Sequence, residues 1–217
     1  YHLIGKDIIT THTVYWPTLM KAMGVTMPET IFAHGWWLID NVKMGKSLGN
    51  VVDPMDLVDV YGVDAFRYYV IAGMVLGRDA NFTEALFVER FNAELANDLG
   101  NLLSRVLNLI YRNCDGRVPT GGENGPEEQA LIAMAEGTLP RLEEAVRSMT
   151  LDKGIAEVMA LVRETNRYLE LRKPWVQAKA EDLEPMRTSL YTAAESLRLV
   201  AGMMAPVMPE RCGALLR

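Results

Sequence analysis

Four long amphipathic segments, residues 84–112, 126–149, 151–171 and 185–204, occupy most of the chain downstream of Thr83 and constrain its fold more than any other feature. Their apolar residues recur at helical spacing, as Ile155, Val158, Met159, Val162 and Leu169 do in the third. Such a stripe has to be buried against a neighbour. Long helices joined by short links bury their stripes most simply as a bundle. The link 115–125 is rich in glycine and turn formers, and Pro140 is expected to bend the second helix. With 49% hydrophobic residues, the chain has ample material for a core.

Residues 1–52 have a different texture. Short strands are expected at 1–4, 30–33 and 36–39, where β-branched and aromatic residues gather. Between them, 6–23 reads as a helix with Trp16, Leu19, Met20 and Met23 on its inner side. Pro17 is expected to split that helix and Gly24 to close it. Residues 53–83 form a small helical connecting unit. Asp53 caps a helix with Pro54 at its first position, and Leu57, Val58 and Tyr61 face inward. Gly62 ends that helix, and Asp64 is expected to cap a second one running through Phe66, Tyr69, Val70 and Gly73. Thr83 caps the first bundle helix. The expected fold is therefore an α/β portion (1–52), a connecting unit (53–83) and a mainly α-helical bundle (84–217), mostly α overall.

The chemistry is concentrated in three places. The loop 42–50 sets Lys43, Lys46 and Ser47 among Gly45 and Gly49. Glycines permit close backbone approach to a ligand. Two ammonium groups three positions apart can clamp a polyphosphate as its negative charge grows. The plain alternative is a solvated surface loop. Upstream, His12 and Trp16 share a helix face that Asp7 caps. With Ile8 they could wall a pocket for a thioether, since sulfur packs well on aromatic rings. The plain alternative makes Trp16 core and Asp7 an ordinary N-cap. In the bundle, Asn101 and Arg105 are one turn apart, and Trp175 follows Lys173-Pro174 at the end of the third helix. At about 1.5 Å rise per residue, Asn101, Arg105 and Trp175 stand about 26, 32 and 35 Å along two parallel helices, at the same end. An aromatic face with a fork of donors suits an unstacked RNA base. The plain alternative makes Trp175 core.

A balance of 22 basic against 28 acidic residues leaves a net charge of −6, so no global positive field draws nucleic acid. Any RNA contact has to be local, and DNA is not an expected partner. Cys114 and Cys212 lie far apart, and with three histidines in all no metal site is expected. Unpaired thiols, no leader and no apolar run long enough to span a bilayer point to a cytoplasmic protein without a membrane partner. The chain opens on Tyr1 without an initiator methionine and closes on Leu215-Leu216-Arg217 without a stop signal, so a piece of a longer polypeptide is expected.

These motifs resemble the methionyl-tRNA synthetase family of class I aminoacyl-tRNA synthetases. Lys43-Met44-Gly45-Lys46-Ser47 is similar to the family's KMSKS signature at four of five positions, with Gly45 where the family usually has serine. Residues 1–7 resemble the strand before the second half of its Rossmann-like catalytic domain. The most specific stretches are 43–50, 97–105 and 166–175. The resemblance implies a methionine–tRNA ligase acting on ATP (with Mg2+), methionine and tRNA(Met). Lys46 would stabilise the triphosphate, assisted by Lys43 and Ser47. Gly5 and Asp7 would lie at the ATP and adenylate, and 35–39 would bracket adenine. Ile8, His12 and Trp16 would form the methionine pocket, and Asn101, Arg105 and Trp175 would read the CAU anticodon. The family's HIGH motif and zinc-bearing insertion would lie before Tyr1, so the 217 residues alone are expected to be inactive. Two alternatives stay open: another class I synthetase (for leucine, isoleucine, valine or cysteine) and a non-catalytic tRNA-binding module.

Overall fold

The computed structural model describes residues 4–45 and 48–217 and is mostly helical. Tyr1–Leu3 of the first expected strand, and Lys46 and Ser47 of the lysine loop, lie outside the described residues. Two small sheets precede the bundle. In one, β1 (Ile4–Gly5) pairs in parallel with β2 (Ala33–His34), bringing Gly5 opposite His34. In the other, β3 (Trp37–Ile39) lies between β4 (Val42–Lys43) and β5 (Ala80–Asn81), antiparallel to the first and parallel to the second.

Strands β4 and β5 were not foreseen. The hairpin β3–β4 turns on Asp40 and Asn41, both left-handed (φ 49° and 64°), the backbone that tight two-residue hairpins require. Asn41 and Asn81 then exchange hydrogen bonds across to β5. Gly35, just before β3, runs so close to the next segment that a Cβ there would lie 2.0 Å from the carbonyl oxygen of Arg78.

Pro17 does not split its helix. The chain passes from a tight turn (Lys6–Ile8) through a widened turn (Thr11–Tyr15) into α1 (Trp16–Met23), which ends on left-handed Gly24 (φ 68°). Pro17 has no N–H to donate and its ring crowds the preceding turn, and a widened turn is one way a helix accommodates both.

Helices α2 (Pro54–Tyr61) and α3 (Val63–Gly73) meet at Gly62, whose φ of 86° lets one residue end the first and begin the second. Asp53 caps α2 as expected, accepting the N–H of Met55 at 2.9 Å. Asp64 does not cap α3. It is 5% exposed and reaches across to accept the N–H of Arg211, 2.7 Å away, at the start of the last helix.

The first bundle segment is continuous from α4 (Glu84–Arg90) through a widened stretch (Phe91–Gly100) into α5 (Asn101–Asn113). Thr83 caps it, accepting from Leu86. Asn166 takes up the Asp98 carbonyl from within the widened stretch, at 3.0 Å. Helix α6 (Pro126–Arg147) runs uninterrupted through Pro140, and α7 (Leu151–Arg172) packs against α6, α9 (Glu184–Met204) and α3. Two helices were missed: the short α8 (Pro174–Gln177) and α10 (Pro209–Leu215).

Two cores result. The larger lies inside the bundle, around Leu102, Val158, Leu161, Val162, Leu169, Leu190 and Met204. The smaller is an aromatic seam in which Tyr69 stacks on Trp37 at 5.9 Å and meets Phe82 and Phe87 at 5.3 and 5.1 Å. Gly35→Ala is expected to force β3 away from the segment before β5 and to destabilise the protein by about 1–3 kcal/mol or more. Urea unfolding of the variant checks this: an unchanged midpoint would show that the backbone there yields freely.

Candidate functional site

Two charged pairs converge on Trp36, the residue between Gly35 and β3. The Lys6 ammonium lies 4.0 Å and the Lys43 ammonium 4.1 Å from the centre of its ring, a cation–π arrangement. The indole N–H of Trp36 donates to Asp7, and its backbone N–H donates to Asp79 at 2.8 Å. Lys6 closes one side with Asp79 (2.6 Å), and Lys43 faces Asp7 at 3.5 Å. The bond from Trp36, ahead of the Lys43 charge, holds the Asp7 carboxyl below the usual carboxylate range. Lys6 and then the Trp36 backbone do the same for Asp79.

Asp7 thus caps no helix in this structure; the turn that follows Gly5 has no side-chain cap. It joins the first sheet to the lysine loop instead, because β4 carries Lys43 back beside β3. Lys6, Trp36 and Asp79 were not singled out from the sequence. Asp79 lies 73 residues from Lys6, and only the parallel pairing of β3 with β5 brings them together.

The loop beyond Lys43 is stapled by Asn50, whose side chain accepts the Gly45 N–H (2.9 Å) and donates to the Lys43 carbonyl (3.3 Å). Gly45 is therefore tethered through its backbone. His12 and Trp16 lie edge to face with ring centres 5.9 Å apart, and His12 Nδ1 is 2.9 Å from the Ile8 carbonyl oxygen. Ile8 is 44% exposed, so this face opens outward beside Asp7.

At the far end of the bundle, the Arg105 guanidinium lies 5.2 Å from the Trp175 ring centre. Arg105 also donates to Glu170 of α7 at 2.6 Å. Asn101 is exposed one turn earlier on α5. Trp175 is half-buried and sits in α8, after Lys173 turns the chain with φ 48° and Pro174 restarts it. It is not a continuation of α7.

Beneath α8 lies a buried polar network. Glu128, fully buried, accepts the Tyr168 hydroxyl (2.5 Å) and the Gly125 N–H (2.9 Å) and forms an ion pair with Arg172, whose Nε lies 3.1 Å away. Arg172 also reaches Ser189, which donates to Gln177 at the end of α8. Burial, and then the bond to Glu128, raises the Tyr168 hydroxyl well above its ordinary value. Removing Arg172 would leave the Glu128 carboxylate buried without its cation. Arg172→Ala is therefore expected to cost about 2–3 kcal/mol, and Arg172→Lys less. A denaturation midpoint unchanged in Arg172→Ala would show that Tyr168 and Gly125 satisfy Glu128 alone.

Among the described residues, no three or more His, Cys, Asp or Glu side chains gather as a metal site, and no helix is long and apolar enough to cross a membrane. Comparison with known proteins finds two families along the chain. Residues 1–107 match "tRNA synthetases class I (M)", and residues 118–217 match "Anticodon binding domain of methionyl tRNA ligase". The methionine–tRNA ligase of Rhizobium meliloti is 42% identical over 215 residues, 99% of this chain and 42% of that protein. Methionine–tRNA ligase 1 of Bacillus cereus is 43% identical over 209 residues, 95% of this chain and 32% of that protein. The structure of Mycobacterium tuberculosis methionyl-tRNA synthetase in complex with methionyl-adenylate superposes with a TM-score of 0.95 at 38% identity, covering 99% of this chain and 43% of that one. The chain thus spans less than half the length of these relatives.

Proposed function

Because this chain belongs to the methionyl-tRNA synthetase family of class I aminoacyl-tRNA synthetases, we propose that it is the part of a methionine–tRNA ligase that supplies the lysine loop and reads the anticodon. The full reaction joins methionine to tRNA(Met) in two steps. The methionine carboxylate attacks the α-phosphate of MgATP and pyrophosphate leaves. The terminal ribose of the tRNA then takes the methionyl group. The work asked of the protein is positioning and stabilisation of developing charge. We assign it to the cytoplasm, where tRNA is charged.

In this reading Lys46 neutralises the triphosphate, with Lys43 and Ser47 assisting. Lys43 waits on the Trp36 ring beside Asp7. Gly5 and Asp7 face the ribose and adenylate, and Ile8, His12 and Trp16 receive the methionine side chain. Residues 35–39 lie against adenine. Asn101, Arg105 and Trp175 read the anticodon, its first base most of all. Residues 53–83 join the two regions.

One observation carries the reading of the bundle: the Arg105 guanidinium is poised 5.2 Å from the centre of a half-buried tryptophan ring, at the end where α5, α7 and α8 converge. A base stacked on that ring would meet a fork of donors at its edge.

Trp175→Ala is expected to weaken binding of a CAU anticodon stem-loop by about 1–3 kcal/mol. Arg105→Ala is expected to weaken it and to narrow the preference for CAU over altered anticodons. Titrating both variants with matched and mismatched stem-loops, alongside thermal melts, checks this. A Trp175→Ala chain with a lowered melting temperature and unchanged selectivity would make the residue core and refute the assignment.

In a full-length ligase carrying this segment, Lys46→Ala is expected to slow adenylate formation by roughly 10²–10³ while tRNA affinity holds. Single-turnover activation within a few-fold of the unmodified enzyme would remove Lys46 from that role.

A further inference from the structure

Helix α3 holds the two regions of the molecule with neighbouring side chains. Tyr69 stacks on Trp37 of β3, the strand whose hairpin partner carries Lys43. Tyr68, the preceding residue, is 1% exposed in the bundle core, and its hydroxyl donates to Glu94 at 2.6 Å. On the same helix, Arg67 donates from Nε to the Val207 carbonyl (2.9 Å) and from Nη2 to the Pro206 carbonyl (2.8 Å). One turn earlier, Asp64 accepts the Arg211 N–H at 2.7 Å.

These last partners are the Pro206 and Val207 carbonyls in the link between α9 and α10, and an N–H that the first turn of α10 leaves unsatisfied. Both sets are satisfied from a helix 139 to 147 residues away in sequence. The Tyr68 hydroxyl ties α3 to the first bundle segment through Glu94, whereas the ring contacts of Tyr69 are non-directional. Charge-assisted hydrogen bonds at defined atoms fix direction as well as contact.

We propose that Asp64 and Arg67 are positioning residues that set the angle between the lysine-loop hairpin and the bundle, so that one tRNA is held by both at once. This rests on the reading of the bundle as an anticodon-binding unit. Two contact regions on one rigid ligand reinforce each other only when their spacing and angle match it. A clamp of two directional side chains on a helix packed into both cores supplies that match without any contact to RNA.

The test uses the 217-residue chain with Cys114→Ser and spin labels at Val42 on β4 and Glu136 on α6, both exposed. Cys212 is buried at 4% exposure and stays unlabelled. Arg67 is exposed, so Arg67→Met keeps its aliphatic stem and removes both donors, and Arg67→Lys restores one. The expected result is one narrow label-to-label distance in the parent, a broad distribution in Arg67→Met and a partial return in Arg67→Lys, with helical content equal in all three. In parallel, the parent is expected to bind an intact tRNA(Met) transcript about tenfold or more tighter than the isolated CAU stem-loop. Arg67→Met should keep its stem-loop affinity and lose that excess. A distribution as narrow in Arg67→Met as in the parent, or one already broad in the parent, overturns the proposal. If the stem-loop binds no variant, the anticodon reading fails, and the distance measurement still decides the clamp.

Discussion

The burial of α7 on three sides is the constraint on which the rest of the bundle depends. Val158, Leu161, Val162, Thr165 and Leu169 are each 0% exposed, enclosed by α6, α9 and α3. Even its polar residue is accommodated: Thr165 donates back to the Leu161 carbonyl or meets Ser196 at 2.6 Å. A helix enclosed in this way cannot turn about its axis without exposing apolar area worth about 25 cal/mol per Å2. Where α7 ends is therefore fixed, and with it the place where Lys173 reverses the chain and Pro174 launches Trp175. The buried carboxylate of Glu128 and the reach of Arg172 to Ser189 secure that end with directional bonds.

The lysine loop is held by a different kind of force. Residues 4–45 have little core of their own: Ile8, Ile9, Val14, Tyr15, Leu19 and Met23 are all exposed. What orders the lysine side is charge arranged about one indole, with Lys6 and Lys43 over the Trp36 ring and Asp7 and Asp79 on its donors. Such pairs are exposed and individually weak. They leave Lys43 within reach of a stronger anion. The aromatic seam behind it, Trp37 on Tyr69, connects this loosely held region to the bundle.

The helices of the bundle were legible because a stripe repeated over five turns has one solution, burial against another helix. The caps were legible wherever they act locally, as at Asp53 and Thr83. Asp64 misled because its sequence neighbours offer an N-terminus to cap, while the fold offers a better one on α10. The widened turn before Pro17 escaped because a proline's usual effect is to break a helix, and accommodation depends on the room around it. The strands β4 and β5 were too short to show a period. The Asp40-Asn41 turn was the available signal for the first, and β5 carried none.

The sequence by itself determined the succession of an α/β portion and a helical bundle, the family, and the residue types of the candidate site. These follow from local periodicity and from a short glycine-lysine motif, both readable along one dimension. Tertiary structure alone decided that Lys6 and Asp79 flank Trp36, that Arg105 pairs with Glu170, and that one helix clamps the start of another far along the chain. Those are distances between residues tens to more than a hundred positions apart. They exist only once helices and strands have packed, because the energy that selects them comes from burial and directional bonding between elements.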